Sequence, residues 1–449
     1  MAVVLPFAAY RYDEKKVGGL GHVLTQPYDK ISPDMQRAYL SRSLYNYAHL
    51  IKGEVKAADS SSDNVYTRAA QWLRDWREQA ILIQRKTPAF YLYYEKFVPP
   101  DSPDATPLIR KSFIGLGKLE HYQSGVIFRH EQTLSAPKAD RLDLLRATRA
   151  NLESLFLLYS DPQKTIEKAL DQIARCAPAA RAIDEYGVEH TIWDIDDPAL
   201  VKTIQSNMAD KKLIIADGHH RYETALNFER ECRTSRHPGE QNDCSFAMMT
   251  FVNMESDGIL ILPTHRLVSN LSAWNAPSFR EKARPYFEQT AFPFSDEGSK
   301  QEALRTMKQA MAQSPGTSFG ALFQAESQNG NAFYCLSQRS GSDTDRLLAD
   351  LTPAERSLDV TVLHRIVFGQ CLGLDEAAIR DEKHLSYVRH FDEGIDGVLK
   401  GAAQACFFLN PVRIEQVRDI AFSGRVLPQK STDFYPKLLS GLVLYTLQH

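Results

Sequence analysis

Apolar positions recur along the chain at two periods, and these mark out the elements. Ala69, Trp72, Leu73 and Trp76 return every three to four residues and predict a helix over Val65–Gln79. Phe90 to Val98 is dense in aromatic residues, Pro99-Pro100-Asp101-Ser102-Pro103 breaks it, and Lys111 to Leu119 resumes, which predicts a hairpin. Residues 138–153 are charged, with Leu142, Leu145 and Leu152 on one side of a predicted helix. Asp196 and Asp197 precede Pro198 and so predict a capped helix running to about Ala209. Lys212 to Ala216 reads as a short buried strand, Arg221 to Glu231 as a helix, and Ser245 to Met254 and Ile259 to Leu262 as further strands.

Beyond residue 270 the pattern changes. Helices are expected near 277–288, 299–313 and 353–368, with strands near 319–324 and 332–337. Residues 405–409, 412–421 and 425–427 then read as strand, helix and strand. The expected organisation is α+β: an N-terminal region over 1–125, a core over 126–270, an inserted α+β piece over 271–375 and a C-terminal segment over 376–449 that completes the active site.

Composition narrows the function classes. The 449 residues are 43% hydrophobic and 24% charged, which is ordinary for a globular protein. A formal net charge of −3 offers no global basic field for nucleic acid. No apolar run is long enough to span a membrane, and the N-terminus lacks the features of a signal peptide. The 6 cysteines include no Cys-x-x-Cys pair, so reduced thiols and a cytoplasmic location are expected.

The strongest chemical signal is Asp217-Gly218-His219-His220-Arg221, set between a strand and a helix. The first N–H groups of a helix are unpaired and carry the positive end of its dipole, so they attract anions. Gly218 lets the backbone come close to an anion, and His219, His220 and Arg221 add donors there. Two histidines and an arginine in a first helical turn oppose the dipole unless an anion is bound. Asp217 is a candidate ligand for Mg²⁺.

Three other segments carry weaker signals. Arg129-His130-Glu131-Gln132-Thr133, followed by Lys138, Asp140, Arg141, Arg146 and Arg149, places a carboxylate among cations; a solvated charged helix is the alternative. Lys430-Ser431-Thr432 can cradle a phosphate or carboxylate, or simply cap a turn. Thr264 and His265 stand at a strand end, where sites often collect. The Walker, Gly-x-Gly-x-x-Gly, His-Glu-x-x-His and protein-kinase signatures are absent.

Taken together, these motifs resemble the free serine kinases of the ParB/sulfiredoxin-like superfamily. Ala216 through Tyr222 stands where those kinases carry Val-Asp-Gly-His-His-Arg-aromatic, His130-Glu131-Gln132 matches their catalytic glutamate, and Lys430-Ser431-Thr432 matches a C-terminal Lys-Thr-Thr, all in the same chain order. Nearly the whole chain resembles the family DUF1015, through Pro6-Phe7, Pro27-Tyr28-Asp29, Lys138-Ala-Asp-Arg141, Pro263-Thr-His-Arg266 and the Lys430–Thr432 tail. Gln429 departs from the kinases' proline, and Asp433 and Phe434 replace a basic pair. His219 stands where sulfiredoxins place a reactive cysteine, which argues against peroxiredoxin repair.

The resemblance implies a ParB/sulfiredoxin-like core and phosphorylation of free L-serine to O-phosphoserine. Glu131 would then be the base, with Asp217 and His220 also catalytic. Gly218, His219, His220 and Arg221 would hold phosphate. Lys430, Ser431, Thr432, Thr264 and His265 would bind substrate, and Mg²⁺ would assist at Asp217. The donor is left open among ATP, ADP and pyrophosphate. A metabolite-sensing regulator, or a phosphatase or nucleotide hydrolase built on the same cradle, is the alternative. The segments around Glu131, Asp217 and Lys430 are expected to converge.

Overall fold

The computed structural model describes residues 2–131, 136–235, 243–324, 330–339, 341 and 343–447. Gln132 and Thr133, named above beside Glu131, lie outside the described residues. Among the described residues the chain forms two compact units. One comprises Met1–Arg129, Thr133–Leu260 and Pro436–His449; the other comprises His130–Gln132 and Ile261–Tyr435.

The first unit is built on a mixed sheet of nine strands among the described residues. Its order is Ile127–Phe128, Leu213–Asp217, Leu155–Tyr159, Phe246–Asn253, Leu108–Lys118, Phe90–Phe97, Glu189–Ile195 and Ala180–Ile183, with Val4–Leu5 also paired to Leu108–Lys118. Strands before residue 125 and strands after it thus share one sheet. Both faces of this sheet are buried, which explains its near-continuous apolar strands. Successive side chains of a strand point to opposite faces. Tyr91, Tyr93 and Met248 accordingly join one core, and Phe90, Leu92 and Met249 the other.

Helices flank the sheet where the sequence pattern places them. Val65–Glu78 starts at Asn64, whose side chain accepts from the N–H groups of Tyr66 and Thr67. Pro198–Met208 starts at Asp197, which caps Ala199 and Leu200 in the same way. The expectation of reduced thiols is corrected here: Cys232 and Cys244 form a disulfide. A search for closely spaced pairs overlooks this one because the partners are 12 residues apart. Cys176, Cys335, Cys371 and Cys406 are free thiols.

The second unit carries a sheet of six strands among the described residues, in the order Phe287–Phe294, Asn331–Gln338, Ser318–Phe323, Ala405–Phe408, His265–Val268 and Leu385–Val388. Phe287–Phe294 overturns the helix expected to reach 288, which ends instead at Ala283. This strand lies at the sheet edge, where Pro293 costs no ladder bond. The helix expected over 353–368 is broken into Pro353–Arg356, Asp359–Val362 and a π-helix, Leu363–Cys371. No helix among the described residues is long and apolar enough to cross a membrane.

Candidate functional site

The strand Leu213–Asp217 leads directly into the helix His219–Ser235. Gly218 makes the turn at φ 93°, in the left-handed region. Its carbonyl accepts the N–H of Tyr222, the first bond of the helix, and its own N–H donates to Asp217 Oδ1 at 2.8 Å. A side chain at Gly218 would meet Leu155 Cδ2 at 3.0 Å and Arg221 Nη2 at 3.1 Å. The buried Tyr222 fixes the helix through its hydroxyl, which donates to Glu120 O at 2.7 Å.

Asp217 is the focus of charge in this unit. Burial pushes its carboxyl up, but Lys437, Arg221, His219 and the Gly218 N–H together hold it down at about 2. Lys437 Nζ lies 3.4 Å from Asp217 Oδ2. Asp29 behaves in the opposite way: burial and the nearby charge of Asp217 raise it, against Lys437 and Arg221. Two carboxylates thus share one pair of cations, and Asp217 keeps its charge.

Arg221 is partly committed to structure, since its Nη1 donates to Ser154 O at 2.7 Å. Glu153, Asp217, Asp29 and Tyr28 are the charged and polar groups around it. Glu153 accepts from the Tyr28 N–H at 3.0 Å and lies 4.0 Å from Arg141, whose guanidinium covers the Tyr28 ring at 4.0 Å. Arg141, Glu153 and Arg221 also line a small cavity of about 70 Å³. The segments containing Tyr28-Asp29, Arg141 and Asp217–Arg221 therefore meet within one unit. His219 is buried and His220 half-buried at the same helix start.

The charged helix Ala136–Thr148 divides between two roles. Arg146 pairs at the surface with Glu231 and Asp143, as a solvated face would. Arg141 is buried and donates to Ile51 O at 2.9 Å. Lys138 is paired with Glu223.

The second unit joins the other two segments. The Leu427 N–H donates to His130 O at 2.7 Å, and Glu131 bridges to Leu427 in parallel. The Lys430 N–H donates to Glu131 Oε1 at 3.0 Å, with Lys430 itself at φ 57°. His130 Nε2 and Thr432 Oγ1 are 2.8 Å apart, and Ser431 Oγ donates to Pro428 O at 2.5 Å. The Ser431 hydroxyl is thus engaged within the loop and the Thr432 hydroxyl with His130, while the Lys430 side chain is exposed.

Arg266, the last residue of the Pro263-Thr-His-Arg266 segment, sustains this loop, a role that its sequence context does not assign to it. It is fully buried, and its Nη2 donates to Lys430 O at 3.0 Å. Burial lowers it to about 10 against the opposing pull of Tyr387 and Glu131. Its neighbour His265 is fully buried between the Phe391 and Phe408 rings, at 4.4 and 5.3 Å, and accepts the Leu409 N–H at Nδ1. Thr264 and Ser431 line a recess of about 810 Å³ that also holds Asp359, Asn410 and Arg413. Burial raises the Asp359 carboxyl to about 6 although Asn410 donates to it at 2.8 Å. A second recess of about 790 Å³ is lined by Leu427, Pro428, Gln429 and Tyr387.

Residues 4–361 match a family model described as protein of unknown function (DUF1015). The chain belongs to the DUF1015 family. No curated protein matches this DUF1015 chain in sequence. Among solved structures it is similar to a free serine kinase in complex with AMP, at 12% identity and a TM-score of 0.31, over 71% of this chain and 89% of that one. It is also similar to a mutant free serine kinase in complex with ADP, at 11% identity and a TM-score of 0.32, with 71% and 89% covered. A third likeness is SbnI with C-terminal truncation from Staphylococcus aureus, at 10% identity and a TM-score of 0.34, over 73% and 85%.

Among the described residues, no three histidine, cysteine or acidic side chains group as a metal site. Asp217 and Asp29 are two carboxylates that interact with each other beside the start of His219–Ser235. Magnesium keeps several waters and is commonly bound by one or two carboxylates together with substrate phosphates, so this pair is compatible with it.

Proposed function

We propose that this protein is a phosphotransferase that phosphorylates the hydroxyl of free L-serine, giving O-phosphoserine, on a ParB/sulfiredoxin-like core. The observation that carries the reading is the charge arrangement at the start of His219–Ser235: an ionised Asp217, the Gly218 turn, His219, Arg221 and Lys437 around one helix N-terminus. Phosphoryl transfer asks for positioning and charge neutralisation more than for covalent chemistry. Gly218, His219, His220 and Arg221 are the proposed phosphate cradle, with the helix dipole behind them.

Glu131 is the proposed base. Its Oε1 accepts the Lys430 N–H, which fixes the orientation of the carboxylate proposed to take the serine proton. Asp217, aided by Asp29, would hold Mg²⁺, which when bound supplies positive charge to the phosphate oxygens. The exposed Lys430 side chain is the proposed partner of the substrate carboxylate. Ser431 and Thr432 support it by shaping the loop, and Thr264 stands at the edge of the adjoining recess. His265 would contribute by packing. A cytoplasmic location accompanies this reading. The test is the formation of O-phosphoserine from L-serine in the presence of ATP, ADP or pyrophosphate.

A further inference from the structure

The first unit contains a buried ion pair that the proposed chemistry does not use. Glu95 and Arg110 face each other in the antiparallel pairing of Phe90–Phe97 with Leu108–Lys118. Both are essentially unexposed, and Arg110 Nε donates to Glu95 Oε2 at 2.6 Å. A pair this deep is poor evidence for stability, because desolvation cancels much of its attraction. Its remaining bond suggests a different role: Arg110 Nη2 donates to Pro436 O at 2.6 Å.

The next residue is Lys437. Beyond it, the Leu439 N–H reaches the Tyr93 hydroxyl at 3.4 Å, and Ser440 pairs with Thr25 through its backbone at 2.8 Å. The backbone is thus pinned on both sides of Lys437. Its side chain is 13% exposed, with Nζ 3.4 Å from Asp217 Oδ2. The Arg110 guanidinium also stacks on Phe156 at 4.8 Å, and Phe156 is the strand partner of Asp217. One buried arginine therefore touches both the segment that delivers Lys437 and the residue beside Asp217. The ammonium pairs with Asp217 at 3.4 Å, which places its charge beside the start of His219–Ser235. A lysine ammonium is a point charge that tolerates the varied oxygen geometry of a phosphate.

We propose that Lys437 is a further cation of the phosphate-binding group at Asp217–Arg221, taking a multiply charged phosphate ligand such as pyrophosphate, and that Arg110, neutralised by Glu95, is its positioning residue. This rests on the phosphate-site reading above.

The test is calorimetric titration of the full chain with inorganic pyrophosphate and Mg²⁺, without acceptor. Lys437→Met should weaken binding by about tenfold or more, and Lys437→Arg should restore it to within a few-fold of wild type. The double variant Glu95→Gln/Arg110→Met removes both buried charges together, so that neither is left unpaired. It should bind as weakly as Lys437→Met, and adding Lys437→Met to it should cost nothing more. If the double variant does not fold, Arg110→Lys carries the test, since it keeps a charge beside Glu95 but shortens the reach to Pro436. Wild-type affinity in Lys437→Met overturns the binding role. Wild-type affinity in the folded Arg110 variant overturns the positioning role. Absence of pyrophosphate binding by the wild type overturns the phosphate-site reading itself, an outcome separate from both.

Discussion

The Lys430 N–H donates to Glu131 Oε1 at 3.0 Å, joining residues 299 positions apart in sequence. The bond fixes one oxygen of the carboxylate, and Arg266 holds the loop from behind through Lys430 O. Such an arrangement holds the Glu131 carboxylate in a fixed orientation.

Replacing Glu131 by Gln preserves the acceptor for Lys430 and removes the proton acceptor. Turnover should fall by about 10²–10⁴ while the melting temperature stays near wild type. Steady-state kinetics beside a thermal melt checks this. Activity within a few-fold of wild type in the folded variant would remove Glu131 from the mechanism.

His220 and Arg221 should separate. His220→Ala should weaken pyrophosphate binding with little effect on folding. Arg221→Ala should also destabilise the fold, by about 1–3 kcal/mol, because Ser154 O loses its 2.7 Å donor. Urea unfolding and ligand titration on both variants distinguish the two effects. Unchanged affinity in both would count against the cradle.

Gly218→Ala should cost about 1–3 kcal/mol from its φ of 93°, with a further loss from the contacts of 3.0 Å to Leu155 and 3.1 Å to Arg221. Because the new methyl presses on Arg221, binding should fall along with stability. A variant as stable as wild type would show that this turn does not require the left-handed conformation.

Acid should weaken the second unit through two histidines. Burial, with Arg266, Lys308 and His390 nearby, holds His265 at about 3. Burial and Arg266 hold His364 at about 3 as well. The unfolded chain takes up these protons near 6.5, so it binds more protons than the folded chain between about 6.5 and 3. Stability should therefore be complete above 6.5 and fall as pH drops through that window, by roughly a few kcal/mol. His265→Gln should flatten the decline in urea midpoint between neutral and acid pH. A slope equal to wild type would show that His265 gains its proton without penalty.

How far the site could be read from the sequence depends on where each signal resides. Asp217–Arg221 is legible because strand, glycine and helix start are contiguous, and the helix dipole makes an anion site a local matter. Glu131 and Lys430 are legible through the order of their motifs, since nothing local joins two residues so far apart. Lys437, Arg110 and Glu95 are not legible: their signal is the burial of charge, and a strand reading Phe-Tyr-Leu-Tyr-Tyr-Glu-Lys-Phe gives no sign that Glu95 is inside. Arg266 is visible as part of the Pro263-Thr-His-Arg266 segment, but its role under the Lys430 loop is not, because that role also rests on burial. In the fold, capped helices such as Pro198–Met208 were readable from their first residues, whereas Leu155–Tyr159 and Glu189–Ile195 went unassigned. Leu155–Tyr159 is wholly apolar and carries no alternation, and Glu189–Ile195 mixes His190, Thr191 and Asp194 among its apolar residues without a strict period of two.

The proposed activity is one reaction, phosphoryl transfer to free L-serine. The measurement is to incubate the purified protein with Mg²⁺ and L-serine, adding ATP, ADP or pyrophosphate in parallel, and to quantify O-phosphoserine and released phosphate, with serine-free controls. The predicted result is O-phosphoserine formed with at least one donor, dependent on Glu131, and little phosphate released without serine. Phosphate release that is independent of serine would identify a hydrolase, and binding of these donors without any product would identify a sensor; either would contradict the kinase reading.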